Sequence, residues 1–326
     1  MMNQTRMFIF VFGITGIFIV LMSGCSRSQG YKEDQPTYPQ GYYSDGAGSN
    51  SQPSGRIEAM GQPKKKLAVL NFWNDTPVDG ADFGFFAADE LKRILSLTNR
   101  VVLPPDATST LETKDFVQGS DIKVAQLIRE AKRLGVAIVV IGRIGKIVFR
   151  QRGDEVGIFR QTQSLVAADV EVKVFDVNAG KEIAAIGRSA ESSSNSFVAV
   201  EQGNLQSKEY RAELSQMAIR EAVNQIAPEL IKNVEKTAWQ GRIAKIVGTR
   251  VYINSGRGSG LVSGDILKVL SPGDELYDPT TGAFLGQTQG LLKGTLEVKD
   301  FLGEDGAVSM IHTGGNFKEG DTVKLY

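Results

Sequence analysis

Few residues in this chain could carry bond-making chemistry. There is one histidine, His312, and one cysteine, Cys25, in 326 residues. A single cysteine excludes an internal disulfide framework and any zinc site built from several thiolates. His312 follows the apolar stretch 307–311 and has no second imidazole with which to share a metal, so it reads as a half-buried strand residue. The run Gly256-Arg257-Gly258-Ser259-Gly260 has the glycine content of a phosphate loop or a nucleophile elbow. It lacks the lysine of the first and the G-x-S-x-G order of the second, and no helical pattern follows to supply N–H donors. A tight turn between strands accounts for it, and a hydrolase would have only Ser259 and scattered carboxylates to work with. Gly303-Glu304-Asp305-Gly306 is an acidic turn without the oxygen ladder of a calcium loop. No metal and no cofactor are expected, and the chain is not expected to be an enzyme.

The cysteine has a different explanation. Residues 1–24 carry one charge, Arg6, then an apolar run over 7–22 that ends in Ser23-Gly24-Cys25. A charged start, an apolar middle and small residues at the cut describe a secretory signal peptide, too short and too glycine-broken for a spanning helix. Leu21-Met22-Ser23-Gly24-Cys25 resembles the lipobox of bacterial lipoproteins, with Met22 where Leu is more usual. The resemblance implies that Cys25 is acylated and becomes the mature N-terminus, its acyl chains holding the protein to a bilayer at about 0.8 kcal/mol per buried methylene. Ser26, rather than Asp, follows the cysteine, which implies the outer membrane and its periplasmic face.

Past the anchor, residues 25–64 are Ser, Gly, Gln, Pro and Tyr with few aliphatics. Such a segment cannot bury enough apolar surface to offset chain entropy and is expected to be a disordered tether. About 40 residues of flexible coil span roughly 35 Å root-mean-square. Lys64-Lys65-Lys66 at its end could meet anionic headgroups at roughly 1 kcal/mol per charge. The whole chain balances 37 basic against 37 acidic residues, which argues against a general nucleic-acid partner.

Periodicity divides the remainder into a domain over 65–238 and another over 239–326. In the first, 66–72 is a buried strand, and Ala87, Leu91, Ile94 and Leu95 share a helix face. Val101-Val102-Leu103 is a short strand stopped by Pro104-Pro105. Ser120-Asp121 would cap a helix bearing Val124, Ile128 and Ala131, with Gly135 past its end. A continuous apolar strand over 137–141 is followed by strict alternation from Val166 to Val174, a turn over 176–180, a strand over 182–186, and a helix over 208–236 with a kink at Pro228. The fold class is α+β, a mixed sheet with helices packed on it. From 240 onward no helical period remains. Six apolar stretches, 243–247, 251–253, 266–270, 295–298, 307–311 and 323–325, predict a small all-β barrel or sandwich.

The segments 65–72, 136–144 and 170–183, with the closing helix, resemble the curli-secretion lipoprotein family (CsgG/HfaB), in which a lipobox precedes the same order of elements. The likeness covers 65–238. Residues 241–326 are similar to the C-terminal domain of the flagellar assembly protein T. These resemblances imply a lipid-anchored homo-oligomeric ring at the outer membrane, serving export or bracing an envelope machine and meeting a periplasmic or secreted protein partner. In channel members a loop after the first strand narrows the pore with an aromatic and an amide, which implies Asp82 and Phe83 as the counterpart here. Channel members also insert two hairpins per subunit into a shared barrel. The corresponding stretches, 147–165 and 189–207, lack the alternate apolar set that a lipid face requires, so a periplasmic ring hung from lipid is expected instead. The alternating strand 166–174 is the expected oligomer edge. A monomeric tethered activator of a synthase remains the alternative.

Overall fold

The computed structural model describes residues 61–78, 82–119, 121–154, 161–197, 207–282 and 284–326. Cys25, the leader and nearly all of the tether lie outside the described residues. The first domain contains, in chain order, β1 (Lys65–Val69), β2 (Trp73–Asn74), α1 (Phe83–Thr98), β3 (Val101–Val102), α2 (Pro105–Thr110), α3 (Thr113–Phe116), β4 (Val117–Gln118), β5 (Asp121–Ile122), α4 (Val124–Arg133), β6 (Ile138–Asp154), β7 (Gln161–Asp176), β8 (Lys181–Phe197) and α5 (Lys208–Lys236). The fold is α+β as expected. Its sheet runs β3-β1-β6-β7-β8, with β2 beside β6. β1 is parallel to β3 and to β6, whereas β6, β7 and β8 are antiparallel neighbours.

Alternation distributes side chains between two apolar layers. Leu67 and Val69 of β1, Ile138 and Val140 of β6, and Val166 through Val174 at every second position of β7 face α1 and α5. Ala68, Val139, Ile141 and Phe175 face the other way, against α2, α3 and α4. That second layer draws only the β7 end of its strand and nothing from β8. Beyond it the same face shows Asp169, Glu171 and Lys173, with Asp169 exposed and the other two half-buried. Gly142 permits the packing between strands and helix, because a Cβ there would fall 2.3 Å from the ring of Phe72.

α5 has the expected bounds and continues through Pro228. Other expectations need correction. Pro104-Pro105 does more than stop a strand, since Pro105 opens α2, where its missing N–H costs nothing. α4 starts after Lys123 without a side-chain cap, and Asp121 pairs in β5 instead. Gly135 does lie past its end, at φ 70°. The strands β6, β7 and β8 are 17, 16 and 17 residues long, far beyond their apolar stretches.

The second domain holds β9 (Gly241–Val247), β10 (Arg250–Ile253), β11 (Ile266–Leu270), β12 (Glu275–Tyr277), β13 (Phe284–Gln287), β14 (Leu292–Leu302), β15 (Gly306–Gly314) and β16 (Thr322–Leu325). Six of these close into a barrel ordered β10-β15-β14-β11-β16-β9, while β12 and β13 form a hairpin set between β11 and β14. All six predicted stretches are barrel strands. Trp239, Val251, Leu267, Leu296, Val298 and Val323 fill the interior. The barrel meets the sheet domain through Lys64 N to Ser259 O (2.7 Å), Arg242 Nη1 to Lys132 O (2.9 Å), and the ion pair Lys66–Asp305 (3.4 Å).

Candidate assembly surface

The two residues implied as a pore constriction start a helix. Asp82 is the N-cap of α1, its Oδ1 accepting the Phe85 N–H at 2.9 Å, which satisfies one donor of the first turn. Phe83 is 0% exposed and is among the largest buried side chains. It packs with Leu67, Val69 and the inner face of α1. A ring at that depth cannot line a lumen, so Phe83 is a core residue. The aromatic that does face outward in this turn is Phe85, at 54% exposure.

The expected oligomer edge also moves. β7 is paired along its whole length on both sides, Gln161 to Asp176 with β6 and with β8, so its backbone has nothing left to offer. The alternation that marked it reflects one face under α5, not a free edge. The outer edge belongs to β8, to which no second strand pairs among the described residues. Of the second candidate hairpin, 189–207, only the first part and Ser207 are described. Residues 189–197 are the last part of β8, running antiparallel to 161–169 of β7. The turn of the first candidate hairpin and residues 198–206 lie outside the described residues.

Local chemistry keeps β8 in place. Arg188 forms an ion pair with Glu229 of α5, and Arg150 of β6 reaches Glu191 at 3.7 Å. Arg211 of α5 lies 4.4 Å over the ring of Phe149. Deeper between the helices, the Glu90 carboxylate takes two bonds from Arg93, at 2.6 and 3.0 Å, and sits 3.7 Å from Arg220 of α5. The Arg93 hydrogen bonds hold the Glu90 carboxyl below the usual carboxylate range, against the opposing effect of burial. Arg220 also covers the Phe86 ring at 5.3 Å, so α1 and α5 are joined by charge as well as by apolar contact.

The lysine triplet is committed to the protein. Lys64 Nζ donates to Asn99 at 2.6 Å, Lys65 is 6% exposed with Nζ 3.4 Å from the Glu235 carbonyl, and Lys66 pairs with Asp305. Burial lowers the Lys65 pKa, opposed by the charges of Glu235 and Asp176. The triplet clamps the chain entry to both domains and is not a loose basic tag for headgroups.

The remaining chemical motifs are structural. Arg257–Ser259 forms a 3-10 turn ending at Gly260, and the Ser255 hydroxyl donates to a fully buried Ser259 at 2.7 Å. Gly256 presses on the turn before β15, where a Cβ would meet the Glu304 carbonyl at 2.6 Å. His312 lies in β15 but is exposed rather than half-buried, because the strand has left the barrel core by that point. Among the described residues, no group of His, Cys, Asp and Glu is placed to hold a metal, and no helix is long and apolar enough to cross a membrane.

No protein-family model matches the sequence, and no curated protein matches it. Solved structures do. The lipoprotein GNA1162 of Neisseria meningitidis aligns at 16% identity and TM-score 0.31, covering 50% of this chain and 99% of its own. A minor lipoprotein of Acinetobacter baumannii aligns at 16% identity and TM-score 0.28, covering 52% and 94%. The LpoB C-terminal domain of Salmonella enterica aligns at 14% identity and TM-score 0.26, covering 39% and 83%.

Proposed function

We propose that this chain is a lipid-anchored envelope protein whose work is done by assembly rather than catalysis. Acyl chains on Cys25 hold it at the periplasmic face of the outer membrane, and the α+β domain joins copies of itself into a ring of the CsgG-like kind for export or assembly of a surface structure. The observation that carries this reading is the outer edge of β8. A 17-residue strand whose N–H and C=O groups meet no second strand among the described residues is a template for another chain. Mass photometry of the detergent-solubilised full chain is expected to show one discrete large particle, and a uniform monomer would refute the ring. Cys25→Ala is expected to abolish lipid labelling and membrane association, and an unchanged membrane fraction would refute the anchor.

A second reading, a tethered scaffold or activator of a peptidoglycan synthase or flagellar-type machine, has its own support. The β12–β13 hairpin and its base carry Leu276, Leu285, Leu291 and Leu292 at 48–80% exposure. Four exposed leucines on one hairpin and its base suit a protein partner. A pull-down by the full chain that fails on Leu285→Ser with the particle still monomeric would favour it.

A further inference from the structure

A groove between the end of α4, the β7–β8 turn and the barrel plays no part in the assembly reading. It encloses about 480 Å3. One wall is the outer face of β9 and β16, where Arg242 stands opposite Thr322 and Lys324 follows two residues on, with Val323 between them turned into the barrel core. The other wall is Lys132 at the end of α4 and Asn178 in the turn. The base of the β12–β13 hairpin closes one end. It is tightly built, since a methyl on Gly273 or Gly290 would lie 1.7 Å from the carbonyl oxygen of Thr288 or Ser271.

The groove is cationic. Arg242, Lys324 and Lys132 line it, and Asp176 is the only carboxylate among its lining residues. One oxygen of Asp176 is already occupied, accepting the N–H groups of Asn178 at 2.8 Å and Ala179 at 3.0 Å. Arg242 spends one nitrogen on the Lys132 carbonyl, and among the described residues no carboxylate pairs with it. Burial pushes its pKa down with no neighbouring charge to restore it. A partly desolvated guanidinium without a counter-charge is unfavourable, and an entering anion relieves it. The lining also carries the amides of Gln240, Gln287 and Gln289 and the Thr322 hydroxyl, with Gln287 Nε2 already donating to the Gly273 carbonyl at 2.6 Å. Such side chains donate to and accept from sugar hydroxyl and acetamido groups.

We propose that this groove binds a carboxylate-bearing saccharide, Arg242 and Lys324 holding the carboxylate and the glutamines holding the ring substituents. The chemistry stands on the groove alone. Only the choice of source, a muramyl sugar of the cell wall or a uronic-acid polymer, rests on the envelope reading. The full chain in detergent micelles is titrated calorimetrically with N-acetylglucosaminyl-N-acetylmuramic acid, with digalacturonate, with uncharged diacetylchitobiose and with sodium phosphate. One acidic sugar is expected to bind, thereby naming the source, and the two controls are not. Lys324→Gln is expected to weaken binding about tenfold without altering melting, the loss of one charge-assisted contact. Lys245→Gln, an exposed β9 position outside the groove, is expected to leave it unchanged. Absence of binding by both acidic sugars, equal binding of chitobiose or phosphate, or indifference to Lys324→Gln would overturn the proposal. A monomer that binds refutes the ring and keeps the groove, whereas a ring that does not bind does the reverse.

Discussion

The sheet domain and the barrel treat their edges in opposite ways. Six strands of the barrel close on one another, so every strand has two neighbours. Among the described residues the sheet stops at β3, which is two residues long, and at β8, which is 17. A two-residue edge offers almost nothing to another chain, whereas a long one offers a complete ladder. The barrel is therefore finished within one chain, and among the described residues the sheet is finished on one side only. If copies associate as proposed, the open edge of the sheet and not the closed barrel would carry the contact.

The largest effect on this contrast is expected from Phe83→Ala. Truncating a fully buried phenylalanine costs about 3–5 kcal/mol. Hydrogen exchange should then show lost protection over β6, β7, β8, α1 and α5 with the barrel strands retained, since the barrel has its own core. Loss in both domains together would mean that the contacts of Lys64, Lys66 and Arg242 bind them into one cooperative unit.

Next come two adjacent prolines, Ser192→Pro and Ser193→Pro. Along a strand successive N–H groups point to opposite sides, so one substitution removes a bond to β7 and the other an outward donor. The substitution that removes the bond to β7 should lower stability by about 1–3 kcal/mol, because a β7 carbonyl loses its donor. The other should leave melting nearly unchanged and remove the large particle in mass photometry. If neither disturbs assembly, β8 is not the contact.

A smaller effect, about 1 kcal/mol in chemical denaturation, is expected for Asp82→Ala, which deletes the cap of α1. The smallest concerns acid. Glu90 titrates lower in the folded chain than in the unfolded one, so its contribution is complete above the ordinary carboxylate range and is lost as pH falls through its depressed value. Glu90→Gln should flatten that part of the stability–pH profile, leaving the barrel unaffected.

Much of the fold was legible, for local reasons. The six barrel strands announced themselves as short apolar stretches between glycine turns, and α5 as a long helical period. What was missed had polar or short signals. The far parts of β6, β7 and β8 are rich in Ser, Gln and Arg, and they are strands because a neighbouring strand completes their ladder rather than because of their own side chains. The hairpin β12–β13 and the short helices α2 and α3 are likewise below the length at which periodicity speaks. The groove around Arg242 had no sequence signal at all, since Lys132, Asn178, Arg242 and Lys324 are far apart along the chain.

Composition and pattern by themselves determined that one cysteine and one histidine rule out a disulfide framework and a zinc site built from several thiolates, that an apolar run precedes the cysteine, and that an α+β domain is followed by short strands. These are properties of neighbours in the chain, where spacing alone sets which side chains share a face. Only the tertiary structure decided that Phe83 is core, that β7 is interior, and that among the described residues β8 is the edge and an arginine without a carboxylate faces a groove. Each of those depends on what lies beside a residue in space, and strand order and domain contact are fixed by burial summed over the whole molecule rather than by any local run.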